Sequence, residues 1–597
     1  MQETYRKLWS ILLPRERKQA SILLVLMLGL GALELAGVAS IFPLIAVLSN
    51  PKVIETNIYL NSFYQTLKFT DMNSFLIFLT GSVFLIIVLR TVYTGLTNYA
   101  LLRFSEMRSQ SFSLRLLSSY LRRPYTYFLN RHSADLGKTV LSEVEQVIYG
   151  SLMPSLQVVS KLIIAISLLS LVIVMEPKVA LISILVLTVS YSLAYVVIRG
   201  YLVRRGAERL EFNRRRYMVA QEVLAGVKEI KVGGLEAGYL RRYDEVSGYF
   251  HKLKVRLALT KQIPQMLLQI IAFGGVLTVI LTLLFRADGK FHEVLPSVAL
   301  YAFAGTRILP VVQLLYQSIG SMRVGKPALD ALYRELFEAD HATDLKTAER
   351  NFPLNRELAL RNVSFIYPAS ERSVIKEVSL TIPANSSVGF VGSTGAGKST
   401  VIDLIIGLLE SQTGTIEVDG VPITRENARR WQRSIGYVPQ QVFIADETIA
   451  QNIAFGISSS KVDMASVERA AKMADLHDFI VNDLPEGYVT EVGERGIRLS
   501  GGQRQRLGVA RALYHSPQVL ILDEATSALD NLTEQAVMKA VRSLDHDITI
   551  ILIAHRLSTV KECDTIFLLE KGELKGQGSF EQLVQTNDRF RAMAVIH

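Results

Sequence analysis

Six apolar stretches dominate the first half of the chain, at about 20–48, 75–101, 154–175, 178–198, 263–285 and 294–318. Each is long enough for a helix to cross the hydrocarbon of a bilayer, which takes ~20 residues. The first contains Glu34, Gly37 and Pro43, which predicts a kink or an end that leaves the lipid. Between the spans, 101–153 and 199–262 keep a heptad-like alternation and read as helices running on out of the membrane. At 1.5 Å per residue, some thirty residues each way would carry them about 45 Å from the bilayer. Each is broken at a tip, near Arg123-Pro124-Tyr125-Thr126-Tyr127-Phe128 and near Gly233-Gly234-Leu235-Glu236-Ala237-Gly238. From Asn50 to Asp71, Ile58, Leu60, Phe63 and Leu67 recur at helical spacing. Two readings fit that segment, a short amphipathic helix on the outer leaflet or a partly ordered loop.

Past about residue 359 the pattern changes to short apolar runs of strand length separated by helical ones, the mark of an α/β fold with a buried parallel sheet. The expected fold is therefore multi-domain. An all-α six-helix transmembrane domain spans 1–325, a charged linker with Pro327 and Pro353 spans 326–358, and an α/β domain spans 359–597. One stretch of the second domain carries chemistry at once. Gly392-Ser393-Thr394-Gly395-Ala396-Gly397-Lys398-Ser399-Thr400 fits G-x-x-x-x-G-K-[ST], a loop whose backbone N–H groups surround phosphates. Ser387–Val391 is the expected strand before it, and Thr400–Leu409 the expected helix after it, with its positive end toward the anion. Lys398 supplies charge to the β and γ phosphates, and Ser399 a hydroxyl to Mg²⁺.

Val519-Leu520-Ile521-Leu522-Asp523-Glu524 reads as a buried strand ending in two acids, Asp523 toward Mg²⁺ and Glu524 toward the attacking water as general base. Leu499-Ser500-Gly501-Gly502-Gln503 opens a helix carrying Arg504, Arg506 and Arg511. It is a second anion cradle, or a glycine-rich helix start without a ligand. One nucleotide does not need two cradles from one chain, so as a cradle it serves a nucleotide held by another copy.

The five residues Leu499–Gln503 match the signature of ABC ATPases, and the remaining motifs stand in that family's order. Tyr367 resembles the aromatic that stacks on adenine. Gln440, after Tyr437-Val438-Pro439, is similar to the glutamine that senses the γ-phosphate and Mg²⁺. Asp530, in Ser527-Ala528-Leu529-Asp530, resembles the D-loop aspartate, and His555, before Arg556, the switch histidine. The resemblance implies an ABC exporter half, a six-span domain fused to an ABC nucleotide-binding domain. It also implies ATP and Mg²⁺ as ligands, and tips that act as coupling helices beside the Gln440 loop. It further implies a homodimer whose ATPase and transmembrane domains both meet their counterparts.

Composition then settles the compartment rather than the chemistry. Hydrophobic residues make up 49% of the chain and mean hydropathy is +0.27. The net charge of +10 invites nucleic acid as a partner. Its placement points elsewhere. Twenty-seven Lys and Arg residues lie before span one and in the two long connections, against five in the opposite loops. That asymmetry puts the ATPase end in the cytoplasm and argues against a nucleic-acid partner; a bacterial inner membrane is what the family resemblance implies. Arg6, Lys7, Arg15, Arg17 and Lys18 lead into a retained first span rather than a cleaved signal. Cys563 is the only cysteine, so no intrachain disulfide forms.

Glu34 in span one, Arg90 in span two and Arg307 in span six are ionisable groups inside apolar stretches, which marks them as functional candidates. Thr91, Tyr93, Thr94, Thr97 and Asn98 follow Arg90. The arginines either line a cavity for an anionic headgroup or pair with Glu34 and hold the bundle. Lys161, nearer a span end, is expected to snorkel. Leu121 to Phe128 with Asn130-Arg131, Gly226-Val227-Lys228-Glu229-Ile230-Lys231, Arg90 and Thr306-Arg307-Ile308-Leu309-Pro310 look like the bacterial lipid-linked oligosaccharide flippases. That resemblance implies a polyprenyl-diphosphate-linked glycan moved from the inner to the outer leaflet. A lipid A or phospholipid flippase, a multidrug exporter and an ATP-gated channel or sensor are the alternatives. A peptide exporter fits less well, because no cysteine precedes Cys563 to serve an N-terminal peptidase.

Overall fold

The computed structural model describes residues 2–49, 51–69, 71–175, 177–286, 291–337, 352–368, 370–493, 496–524, 548–554 and 556–596. Most side chains between 178 and 197 and between 264 and 304 lie outside that description. The chain forms two compact units. One is Met1–Leu121 with Arg131–Asp340, and the other is Arg122–Asn130 with His341–His597.

The first unit is all helical. Its long helices are α1 (Gln2–Ile11), α2 (Pro14–Ala39), α3 (Met72–Leu121), α4 (Met153–Met175), α5 (Pro177–Ala225), α6 (Glu236–Arg286) and α7 (Phe291–Phe337). Pro14 opens α2 at its first turn, where a missing N–H leaves nothing unpaired. No proline interrupts α3, which stops just before Arg122-Arg123-Pro124. Its 50 residues exceed what a bilayer needs. The twenty beyond residue 101 extend about 30 Å past the apolar stretch. Among the described residues, Pro14–Leu48, Met72–Leu121 and Ser133–Val174 are long and apolar enough to cross a membrane. The other three expected spans fall within α5, α6 and α7.

Between Asn50 and Asp71 the described residues are mostly helical, Val53–Thr56 and then Ile58–Thr66. The Asn57 side chain caps the second helix by accepting from the Tyr59 and Leu60 amides. Leu60 packs on Val47, Ile54 and Phe75, while Ile58 and Phe63 stay exposed. Gly226 interrupts the second long connection, and Val227–Gly233 follows as a short helix ended by Gly234 in the left-handed region, φ +62°. Elsewhere in this unit a buried carboxylate joins remote segments: Glu143 accepts from Arg209 at 3.1 Å and from Asn213 at 2.8 Å.

The second unit carries two sheets. The strands are β1 (Glu357–Ile366), β2 (Ser373–Pro383), β3 (Ser387–Val391), β4 (Thr413–Val418), β5 (Val421–Pro422), β6 (Ile435–Val438), β7 (Val519–Asp523), β8 (Thr549–Ile553), β9 (Thr565–Glu570) and β10 (Glu573–Gly578). An antiparallel sheet has the order β2-β1-β4-β5, and a six-stranded sheet the order β10-β9-β3-β8-β7-β6. In the latter, β9, β3, β8, β7 and β6 are parallel and only β10 runs antiparallel. β3 and β8 are buried at every position, which explains why both read as unbroken apolar runs. The unit also includes the first tip. Arg123, Tyr125 and Thr126 line a cavity of about 570 Å³ with Leu404, Gly407 and Gln432. Cys563 is buried and forms no disulfide, packing as a small apolar side chain.

Candidate functional site

The carboxyl edge of the parallel sheet gathers most of the sequence-predicted residues, as expected where strands of an open α/β sheet end. β3 leads into the Gly392–Gly397 turn and then into α8 (Lys398–Ile405). α8 begins two residues earlier than expected and ends four earlier, because Gly407 turns the chain at φ +74°. The loop needs its glycines for space and for dihedral angle. A Cβ on Gly392 would lie 2.2 Å from the Leu569 carbonyl, and Gly397 caps α8 at φ +103°. At Gly395, φ +78°, a Cβ would meet nothing within 4 Å, so the loop is open on that side. Ser393, Thr394 and Ser399 are exposed, while Ala396, Lys398 and Thr400 are buried.

The Lys398 ammonium folds back over the turn, donating to the carbonyls of Gly392 at 2.8 Å and Ser393 at 3.3 Å. Burial lowers its pKa, while the Glu524 and Asp523 carboxylates pull the other way. Those two acids stand at the end of β7. Asp523 accepts from the Tyr437 hydroxyl at 3.4 Å. Burial first, and Asp523 second, raise the pKa of that hydroxyl and keep it a donor. Glu524 sits at φ +49°, a left-handed conformation that a glutamate rarely adopts. Its N–H donates to the Ile553 carbonyl at 3.1 Å, and its carboxylate accepts from the Gln440 amide at 2.6 Å. Tyr367 follows β1, its hydroxyl 3.1 Å from Thr400 Oγ1 and its ring edge-on to Phe365.

Sequence reading missed Asp403. It lies on α8, and burial with Asp523 nearby raises its carboxyl to about 6. No local signal marks it, since an acid within a short helix reads as solvated. Tyr125 of the first tip is within electrostatic reach of Asp403 and Tyr367. The donors fit a nucleotide triphosphate with a hard cation. An open glycine turn and an ammonium would meet the phosphates, and Ser399, Gln440 and Asp523 would offer the neutral and anionic oxygens that Mg²⁺ prefers. Among the described residues no three His, Cys, Asp or Glu side chains cluster as a metal cage.

Ser500, Gly501, Gly502 and Gln503 stand apart from this group. They begin α9 (Gly501–Leu513) in a capping box, the Ser500 hydroxyl accepting from the Gln503 amide and the Gln503 side chain from the Ser500 amide at 2.7 Å. The Ser-x-x-Gln spacing was the available signal for that cap. Among the described residues, no hydrogen bond links these four to the 392–400 turn. Asp530 and His555 lie outside the described residues.

In the helical unit, Arg90 and Glu34 meet across 56 residues of sequence at 2.5 Å, with side chains 16% and 9% exposed. Lys161 does not snorkel free of them: it is half-buried and within electrostatic reach of both. Arg307 is half-buried on α7.

The fold and this site define a P-loop ATPase joined to membrane-length helices. Comparison with known proteins gives the same result. The ABC transporter family model matches residues 375–527, and the ABC transporter transmembrane region model matches 40–303. The ATP-dependent lipid A-core flippase of Cupriavidus metallidurans is 30% identical over 485 residues, 80% of this chain and 80% of that one. That of Pseudomonas putida is 30% identical over 518 residues, 86% of this chain and 84% of that one. The heterocyst differentiation ATP-binding protein HepA of Nostoc is 32% identical over 370 residues, 62% of this chain and 59% of that one. A bacterial Atm1-family ABC exporter solved with ATP bound shares the fold, at a TM-score of 0.81 and 23% identity over 98% of this chain and 99% of that one. The chain belongs to the ABC transporter family, in the exporter arrangement of a helical transmembrane domain followed by one ABC ATPase domain. It is an ATP hydrolase coupled to transport.

Proposed function

We propose that two copies of this chain form an ATP-driven flippase that moves a lipid with an anionic headgroup from the inner to the outer leaflet of a bacterial inner membrane. The observation that carries this reading is the likeness to lipid A-core flippases across both halves of the chain. It favours a lipid A-like or phospholipid cargo over the polyprenyl-diphosphate glycan that the sequence motifs alone put first. The second reading rests on the membrane-half motifs around Arg90, Arg123, Lys228 and Arg307.

Within each ATPase, Lys398 and the amides of the Gly392–Ser399 turn hold the β and γ phosphates, and Tyr367 faces adenine. Ser399, Gln440 and Asp523 hold Mg²⁺, which when bound offsets phosphate charge. Glu524 accepts the proton of the attacking water, oriented by Gln440. The family resemblance assigns the γ-phosphate contact to His555 and the D-loop aspartate to Asp530. The Ser500–Gly502 turn of a second copy, with its Gln503 cap, closes over the nucleotide by its helix N-terminus. Nucleotide that binds only the closed pair shifts the population toward it, and the tips pass that closure to the helices. Arg90 and Arg307 meet the headgroup, with Glu34 as the counter-charge that Arg90 exchanges for it.

The test is ATP-dependent translocation in proteoliposomes of three labelled lipids: lipid A, a polyprenyl-diphosphate sugar and a neutral dye-lipid. Faster movement of lipid A supports the first cargo, and faster movement of the polyprenyl-diphosphate sugar supports the second. Equal movement of the dye-lipid sinks the anionic reading. Dissipation of a preset gradient without accumulation would make the protein a channel.

A further inference from the structure

α1 packs on α7 and, with residues of α2, α3 and α4, lines a cavity that the ATP-driven cycle does not use. Its volume is about 200 Å³, and Trp9, Leu12, Leu24, Phe104 and Leu156 form its walls. The Tyr5 hydroxyl pins α1 in place by donating to the Ser155 carbonyl at 3.1 Å. The two serines at the wall have spent their hydroxyls locally, Ser21 on the Arg17 carbonyl and Ser155 on the Leu152 carbonyl. An apolar cavity without free polar groups does not hold water. Trp9 and Leu24 line it and are also 50% and 44% exposed, so it opens sideways. Ile22, Val25 and Leu28, exposed next to that mouth on α2, mark a lipid-facing side.

The rim is basic. Arg6 lies one turn before Trp9, Lys18 one turn before Ser21, and Arg103 beside Phe104, and all three are exposed. Among the described residues none of the three carries an ion pair. Arg17 is committed instead: its Nε donates to the Trp9 carbonyl at 3.1 Å, and its guanidinium lies 5.6 Å from the Trp9 ring centre. Of the nearby acids, Glu16 is buried against Arg108 at 2.6 Å and Glu3 is paired with Lys7 and Lys326, while the exposed Glu106, one turn after Arg103, accepts from the Tyr149 hydroxyl. Cations around a hydrocarbon slot at the end of a span match one ligand chemistry, an anionic head on an acyl tail.

We infer that this cavity is a resident site for one acyl chain of an anionic bilayer phospholipid, with Arg6, Lys18 and Arg103 holding its phosphate. The slot admits part of a single hydrocarbon chain and offers a glycan nothing to bond, so it takes a tail rather than a sugar. The inference stands whichever lipid is carried.

Trp9 reports on it directly. The chain has two tryptophans, and Trp431 is fully buried in the ATPase core. The full-length protein is placed in phosphatidylcholine vesicles containing either phosphatidylglycerol or phosphatidylcholine with dibrominated chains, and tryptophan quenching is followed. Brominated phosphatidylglycerol should bind at least about fivefold more tightly, the effect of one basic side chain at a charged surface. Trp9→Phe should remove the quenching. The combined Arg6→Gln, Lys18→Gln and Arg103→Gln changes should erase the preference. Ser21→Phe, or the milder Ser21→Met, should weaken quenching by both lipids. Equal quenching by the two headgroups, or a preference that survives the triple change, overturns the proposal. Loss of quenching on adding lipid A or a polyprenyl-diphosphate would make the occupant the cargo and likewise overturn it.

Discussion

The role proposed for Glu524 joins two separable burdens, a chemical one and a conformational one. Its carboxylate accepts from Gln440 at 2.6 Å, and its backbone is held left-handed at φ +49° by the bond from its N–H to Ile553. Glu524→Gln keeps the shape and can still accept from Gln440 through its amide oxygen, so the nucleotide pocket should stay intact. What it loses is a proton acceptor. A positioned general base contributes about 10²–10⁴ in rate, or roughly 3–5 kcal/mol of barrier at 1.36 kcal/mol per decade. Phosphate release by the reconstituted protein at saturating ATP should fall by that factor, while ATP binding in the same preparation stays within about twofold. Glu524→Gly provides the conformational half. It should lose turnover equally yet gain about 1 kcal/mol in stability, because a left-handed residue without a Cβ is unstrained. Turnover in Glu524→Gln above about a tenth of the parent value would refute the assignment of the base. A less stable Glu524→Gly would refute the strain.

Two further perturbations test groups that the structure brought together. Asp403 is raised from 3.8 to about 6, mainly by burial, so the folded state binds its proton more tightly than the unfolded chain does. Its penalty is absent below pH ~4 and grows as pH rises through 6. Asp403→Asn should therefore stabilise the protein at pH 7.5 by about 1–2 kcal/mol, allowing for partial solvent access. The gain should vanish by pH 4 in thermal unfolding scans, and a pH-independent gain would point to packing instead. In the helical unit, Arg90→Ala leaves Glu34 buried without its partner and should lower stability by about 3 kcal/mol or more. Arg90→Ala with Glu34→Leu should recover most of that. A double variant as unstable as the single one would mean that the pair is not what holds these helices.

Where chemistry is carried by neighbours along the chain, the order of residues is enough to show it. The 392–400 turn, the strand ending at Asp523 and the helix opening at Ser500 each depend on local rules: glycine where a Cβ collides, an apolar run where both faces are covered, a hydroxyl where a helix begins. The long apolar stretches were equally plain, because bilayer thickness sets a length that a chain must match. Contacts between distant positions were not legible. Glu34 and Arg90 are 56 residues apart, and no spacing announces that one neutralises the other, or that Lys161 stands near both. Asp403 became unusual only when the fold set it beside Asp523 and took away its water. The tip at Arg122–Asn130 lies inside the helical half of the sequence yet packs as part of the ATPase unit. Local pattern constrains dihedral angles and burial one element at a time, whereas pairing of charges and desolvation arise when elements remote in the chain close on one another. Those interactions depend on distance in space, which the order of residues does not encode directly.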